Sequence, residues 1–280
     1  MNGGGGMAEE GGGALLLVGC GKMGGAMLDG WLAAGTASRV VVVEPAGGLP
    51  EGVRGNPAVS AADGPGDLPD GFIPDVVVLA VKPQVMDAVV PAYRGLVRPG
   101  TVFLSIAAGK TIGCLEGHLG AGAAVVRAMP NTPAAIGRGM TVAVANAAVS
   151  APQRALCDAL LGAVGEVAWV EDEALIDPVT AVSGSGPAYV FLLVEALAKA
   201  GVASGLPADL ALRLARATVS GAGELLRQST APAADLRKAV TSPGGTTQAA
   251  LEVLMGEAGL QPLLDAAVAA ATRRSRELAG

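Results

Sequence analysis

Ala14-Leu15-Leu16-Leu17-Val18-Gly19-Cys20-Gly21-Lys22-Met23-Gly24 is the stretch on which the reading of the fold turns. Its five leading apolar residues show no polar alternation, the pattern of a strand covered on both faces. They run directly into G-x-G-x-x-G, and helical spacing follows from Gly25 to Ala34. In a strand–turn–helix setting the first glycine permits the tight turn. The second lets backbone approach a pyrophosphate, and the third lets helix pack closely on strand. The helix N-terminus then presents its unpaired N–H groups to the phosphates. Gly19, Cys20, Gly21, Lys22, Met23 and Gly24 are therefore candidate dinucleotide-binding residues.

Outward from this motif, Val40–Val43, Asp75–Val81, Val102–Ile106 and Ala124–Val126 are further continuous apolar runs, with Thr141–Ala145 and Glu166–Val170 as additional strands. Such runs predict a parallel sheet buried by helices on both sides. The Gly- and Pro-rich region between Glu44 and Asp75 yields no placeable elements. Glu44 ends the second strand, about 20 residues past the loop, where an acid accepts hydrogen bonds from ribose hydroxyls. A carboxylate there repels an extra ribose phosphate and favours NADH, while Arg54, ten residues on, leaves NADPH open. Ligands of open α/β sheets bind outside the carboxyl ends of the strands. That puts Ala80, Val81, Lys82 and Pro83 on the cofactor edge, and likewise Ala107 in Ser105–Gly109, where small residues let a flat ring lie near backbone.

Beyond Val170 the strand-like runs stop. Ala188–Ala200, Asp209–Leu226, Thr247–Met255 and Pro262–Leu278 carry helical spacing, with breaks at Gly205-Leu206-Pro207, Ala231-Pro232 and Ser242–Gly245. The fold class is thus α/β: an N-terminal Rossmann-type doubly wound sheet, followed by an all-helical part. The expected divisions are a Gly-rich flexible tail at 1–13, with Met7 an alternative start, a dinucleotide-binding domain at 14–170 and a helical domain at 171–280.

Composition narrows the functional classes. Hydrophobic residues make up 51% of the 280-residue chain, enough for a sizeable core. Nineteen basic against 25 acidic residues leave a net charge of −6, which argues against nucleic acid or an anionic membrane as partner. Cys20, Cys114 and Cys157 are far apart and read as free thiols of a reducing cytoplasm. No metal-ligand spacing, secretory signal or spanning segment is read; the most apolar stretch, Tyr189–Ala200, is interrupted by Glu195 and Lys199 and is too short to span a bilayer.

Val240-Thr241-Ser242-Pro243-Gly244-Gly245-Thr246-Thr247 predicts a second, anion-binding site. Ser242 suits an N-cap and Pro243 the first helical position. The N–H groups of Gly244, Gly245 and Thr246 would then lack intrahelical partners and form a carboxylate receptor, with the Ser242, Thr246 and Thr247 hydroxyls nearby. An ordinary capped helix start is the plain alternative. The loop Ser183-Gly184-Ser185-Gly186-Pro187 reads as a kinked helix entry with some site lining.

Arg127–Pro133, Ala181–Tyr189 and Thr241–Thr247, with Val81–Gln84 and Ser105–Gly109, resemble signature segments of pyrroline-5-carboxylate reductases and occur in the same order. The resemblance spans nearly the whole chain from Ala14. It implies a Rossmann domain followed by a helical dimerisation domain that interleaves with a second subunit, as a homodimer or a ring of dimers. It implies Asn131 as a further cofactor contact. The substrate, a cyclic imine carboxylate, would lie between the nicotinamide and the Ser242–Thr247 helix start and be reduced to L-proline by NADH or NADPH. Thr247 is then the candidate for hydrogen bonding to the ring nitrogen. Lys22 and Glu44 differ from what relatives often carry, which bears on cofactor choice rather than on the reaction.

No general acid stands out. The sole histidine, His118, falls in the expected helix Thr111–Leu119 and reads as structural, a lone imidazole without a partner. Two other classes fit parts of the sequence. A 3-hydroxyacid dehydrogenase would use a helix lysine such as Lys199 but leaves the Ser242–Thr247 segment without a task. A non-catalytic dinucleotide-binding dimer would bind cofactor without turnover.

Overall fold

The computed structural model describes residues 13–44 and 49–279. The expected tail at 1–13 lies outside the described residues, apart from Gly13. Eight strands form one sheet: β1 (Gly13–Val18), β2 (Ala37–Val43), β3 (Val59–Ala62), β4 (Val76–Leu79), β5 (Val102–Ser105), β6 (Ala124–Met129), β7 (Gly139–Ala145) and β8 (Gly165–Trp169). Their spatial order is β3-β2-β1-β4-β5-β6-β7-β8. All neighbours are parallel except β6 and β7. The first six reproduce the doubly wound 3-2-1-4-5-6 order, whose strand sequence reverses beside β1. Strand β3 has no signature in the sequence, because Val59-Ser60-Ala61-Ala62 carries one large apolar residue and sits at the sheet edge. The antiparallel β7 was also not anticipated: its apolar pattern is that of any strand buried on both faces, and direction leaves no mark on it.

The continuous apolar runs are explained by two separate cores. Leu15, Leu17, Val40, Val42, Val76 and Val78 face one side with Met27, Leu28 and Trp31 of helix α1 (Lys22–Ala34). Leu16, Val18, Val41, Val43, Val77 and Leu79 face the other. There they meet Met86 of α2 (Met86–Val89), Tyr93, and Ile112, Leu115 and Leu119 of α3 (Ile112–Leu119). Successive residues therefore enter opposite cores and all must be apolar.

One hydrogen bond locks α1 to α4 (Ala151–Gly162): the Trp31 Nε1–H donates to the Leu160 carbonyl at 2.9 Å with the ring fully buried. That carbonyl lies in the last turn of α4, where the helix supplies no N–H donor of its own. Helix α3 carries His118, which is not the lone side chain expected of it. The imidazole is partnered, its Nε2 standing 3.0 Å from Asp87 Oδ1, a contact invisible in sequence because 31 residues separate the two.

The chain divides into two compact units, Met1–Gly184 with Arg273–Gly280, and Ser185–Thr272. Where strand pattern suggested a boundary at 170, compactness carries the first unit through α5 (Ile176–Val179) to Gly184. The reason is packing: Glu173 accepts the Ile112 N–H at 2.9 Å and pairs with the buried Arg127 at 2.7 Å, and Ile176 is buried. Within the second unit, α6 (Gly186–Ala203) packs on α7 (Ala208–Gln228), followed by α8 (Ala233–Ala239), α9 (Thr246–Leu254) and the start of α10 (Leu260–Ala279). Gly201 lets α6 approach the buried Ala211 of α7, since a Cβ there would lie 3.2 Å from the Ala211 methyl.

Trp31→Phe keeps most of the ring volume but strands the Leu160 carbonyl in the core. The expected loss is about 1–3 kcal/mol of stability, read as a lowered denaturant midpoint at unchanged slope; an unchanged midpoint would show that water replaces the indole.

Candidate active site

The glycine loop is a close fit of backbone to backbone. Gly19 has φ +90°, and a Cβ on it would lie 2.9 Å from the Ala80 carbonyl and 2.8 Å from Val81. A Cβ on Gly24 would come within 2.5 Å of the Gly19 carbonyl oxygen, so only glycine lets α1 leave so close to the strand end. Gly21, by contrast, has nothing within 4 Å of its Cβ position: this is open space in front of a helix N-terminus. Gly21 caps that helix without a side-chain hydrogen bond, and the first intrahelical bond runs from Gly25 N–H to the Gly21 carbonyl at 2.8 Å. The N–H groups of Lys22, Met23 and Gly24 precede it and lack intrahelical partners. A concavity of about 370 Å³ lies here, lined by Cys20, Gly21, Lys22, Gly25 and Asp29. Steric need at Gly19 and Gly24, set against openness at Gly21, is the arrangement a bound pyrophosphate requires.

The β1, β2, β4, β5 and β6 strands are mutually parallel, so their carboxyl ends share one edge of the sheet. Gly19–Gly24, Glu44, Ala80–Pro83 and Ala107 fall on that edge, with Asn131 just past β6. The Glu44 carboxylate accepts the Cys20 N–H at 2.8 Å, bracing the loop. It also lines a second cavity, of about 210 Å³, with Gly19, Asp63, Gly64, Pro65, Val81 and Tyr93. Asp63 and Tyr93 escaped sequence reading; Asp63 follows the unplaced β3. Arg54, considered for a phosphate, is folded back with its Nε on the Leu49 carbonyl at 3.0 Å. Lys82 and Lys22 are exposed.

Asn131 plays a bracing part. Its Nδ2 donates to the Ser183 carbonyl and hydroxyl, each at 3.2 Å, and its Oδ1 accepts the Met140 N–H at 2.9 Å. Its amide group is thus occupied in joining the β6 end to the π-helical turn Thr180–Gly184. Gly184 itself must be small, since a Cβ would lie 2.6 Å from the Met129 Cε.

The Ser242–Thr247 segment differs from its expected form. Helix α9 begins at Thr246 with Gly245 as N-cap, so Ser242 is not the cap and Pro243 is not the first helical residue. Gly244 has φ +66° and closes a turn in which Gly245 N–H donates to the Ser242 carbonyl at 3.0 Å. Two of the three expected free donors are therefore engaged, because the Gly244 N–H donates to Gln248 Oε1 at 2.8 Å. A left-handed glycine delays the helix by three residues. The donors left without an intrahelical partner are the N–H groups of Thr246, Thr247 and Gln248, with the Thr246 and Thr247 hydroxyls beside them.

Cys20 is half-buried beside the loop. Burial, with the Glu44 and Asp29 carboxylates adding to it, pushes its thiol up to about 11. It is a neutral thiol at pH 7 and a poor nucleophile.

Residues 173–278 match the family model for pyrroline-5-carboxylate reductase dimerisation, and residues 14–109 the model described as NADP oxidoreductase coenzyme F420-dependent. Pyrroline-5-carboxylate reductase of Pseudomonas aeruginosa is 41% identical over 266 residues, covering 95% of this chain and 96% of that protein. The chain belongs to the pyrroline-5-carboxylate reductase family. Among solved structures, that of the Coxiella burnetii pyrroline-5-carboxylate reductase superposes with a TM-score of 0.86 at 33% identity, covering 96% of this chain and 99% of that one. A Plasmodium falciparum pyrroline carboxylate reductase with NADP bound gives 0.78 at 28% identity, covering 95% and 98%. The chain is an NAD(P)H-dependent oxidoreductase, and its expected α/β fold with a helical dimerisation part stands.

The dimerisation match accounts for a feature composition did not foresee. One helical run, Glu173–Ala203, is long and apolar enough to cross a membrane by length and composition, longer than the Tyr189–Ala200 stretch read from sequence. Only 6% of its most apolar window is buried. Phe191, Leu192 and Leu193 on it are exposed, as are Leu225 and Leu226 on α7. A self-associating helical unit needs such a face.

Replacing Glu44 by Ser removes both the acceptor for Cys20 N–H and a neighbouring negative charge. The Cys20 pKa should fall, so iodoacetamide labelling of Cys20 at pH 8, followed by peptide mass spectrometry, should be faster in Glu44→Ser; equal rates would mean that burial alone sets the thiol.

Proposed function

We propose that the chain reduces 1-pyrroline-5-carboxylate to L-proline, the last step of proline synthesis, as a cytoplasmic homodimer or ring of dimers without membrane attachment. Family membership across nearly the whole chain is the observation that carries this reading. The nicotinamide cofactor supplies the hydride when bound, and the protein's task is to hold and orient the reactants. Gly19, Cys20, Gly21, Lys22, Met23 and Gly24 take the pyrophosphate, with Ala80–Pro83 and Ala107 lining the same edge of the sheet. Asn131 acts there through the Ser183 turn it holds. Glu44, facing its cavity beside Asp63, favours a free ribose over a phosphorylated one and hence NADH.

The substrate carboxylate is assigned to the turn Ser242–Thr247. Ser242, Gly244 and Gly245 shape the turn and keep it unobstructed, the N–H groups of Thr246 and Thr247 donate, and the helix end adds on the order of 0.3–1 kcal/mol. Thr247 is assigned to the ring nitrogen. The iminium form is already an acceptor of hydride, so no acid–base residue is needed to activate it. Lys199, the lysine a hydroxyacid dehydrogenase would need, is exposed on α6.

Purified protein with pyrroline-5-carboxylate should oxidise NADH and form proline, with a higher kcat/KM for NADH than for NADPH and a shift toward NADPH in Glu44→Ser. A folded, cofactor-binding sample that oxidises neither would refute the assignment. Thr247→Ala should lower turnover roughly 10- to 100-fold, the loss of one hydrogen bond to a charged group, with cofactor affinity unchanged. Wild-type turnover in that variant would remove Thr247 from the reaction.

A further inference from the structure

Outside the candidate active site, four polar side chains converge where α2 meets α3. Asp87 Oδ1 lies 3.0 Å from His118 Nε2 and 3.6 Å from Cys114 Sγ. The ligand atoms of Asp87, Cys114 and His118 all fall within 4.8 Å of one another. Lys110 Nζ meets the same carboxylate, at 2.9 Å from Oδ1 and 2.8 Å from Oδ2. Cys114 and His118 are four residues apart on one helix, so they share a face and point the same way. None of the four belongs to the residues assigned to cofactor or substrate.

We propose that Asp87, Cys114 and His118 form a binding site for a thiophilic divalent cation of the zinc class, separate from the cofactor and substrate sites. A tetrahedral ion with about 2.3 Å to sulfur and about 2.1 Å to oxygen and nitrogen needs sulfur and oxygen about 3.6 Å apart, and nitrogen and oxygen about 3.4 Å apart. The sulfur–oxygen separation already meets this, and the nitrogen–oxygen pair needs only a small opening. One sulfur, one imidazole and one carboxylate are the donor types zinc takes, with solvent as the fourth ligand. Oδ1 of Asp87 would bind the ion while Oδ2 keeps the Lys110 ammonium, the kind of outer hydrogen bond that orients a ligating carboxylate. Binding releases the thiol proton of Cys114 and joins two segments 27 residues apart. Those segments follow the β4 and β5 ends, so the ion fastens the two loops that carry Lys82 and Ala107. The proposal does not depend on the identity of the imine substrate.

Cobalt(II) is the probe, because a thiolate ligand gives it a charge-transfer absorption that imidazole and carboxylate do not. Titrating the full-length protein with Co²⁺ should produce this band at one ion per chain, and adding Zn²⁺ should bleach it. Cys114→Ser should abolish the band, His118→Gln should weaken binding by at least roughly tenfold, and Cys20→Ser should leave both unchanged. Zn²⁺ should also raise the melting temperature of the wild type but not of Cys114→Ser. Absence of a band at saturating Co²⁺, or a band that survives Cys114→Ser or vanishes in Cys20→Ser, would overturn the proposal. Circular dichroism of each variant separates lost binding from lost folding.

Discussion

The near-contact of Gly19 with the β4 end is the constraint around which the first unit is arranged. The loop must turn at φ +90° with the Ala80 carbonyl under 3 Å from where a side chain would begin. Helix α1 must then leave against the Gly19 carbonyl itself. Both demands follow from placing a helix N-terminus at the point where strand order reverses, between β1 and β4. With the loop so placed, Gly21 opens onto free space, Glu44 reaches back to the Cys20 N–H, and Trp31 lies where it can satisfy a carbonyl of α4. Two apolar cores, one on each face, hold the sheet that makes this edge.

Among the described residues, no buried side-chain nitrogen or oxygen lacks a hydrogen-bond partner. Arg127, almost fully buried at the β6 end, meets Glu173, which also takes the first N–H of α3. Removing either partner of such a pair would leave an uncompensated charge. Asn131 does comparable work without charge, tying β6 to the turn before α6. The exposed apolar helices of the second unit are the counterpart: they lie in the region that matches the pyrroline-5-carboxylate reductase dimerisation model.

Gly244 shows how one backbone dihedral revises a site. Ser242-Pro243 has the composition of a helix start, and local preference for a cap and a proline points there. A left-handed Gly244 closes a turn instead, and Gln248 reaches back to its N–H. The N–H groups without an intrahelical partner become those of Thr246, Thr247 and Gln248 as a result. Glycine's preference for φ > 0 can be read from sequence, but which of two adjacent glycines adopts it depends on the chain around them.

What the sequence by itself determined is whatever repeats locally: seven of the eight strands, the glycine loop and its helix, the acid at the β2 end, and the five ordered segments that resemble one reductase family. Period and spacing are short-range properties, and burial on both faces writes itself as unbroken apolar runs. Only the tertiary structure decided the weak edge strand β3, the reversal of β7, the boundary at Gly184 and the lining of the Glu44 cavity by Asp63 and Tyr93. It alone brought Asp87 to Cys114 and His118. Each of these rests on contacts between residues more than ten positions apart, for which neither partner's neighbours in sequence carry a sign.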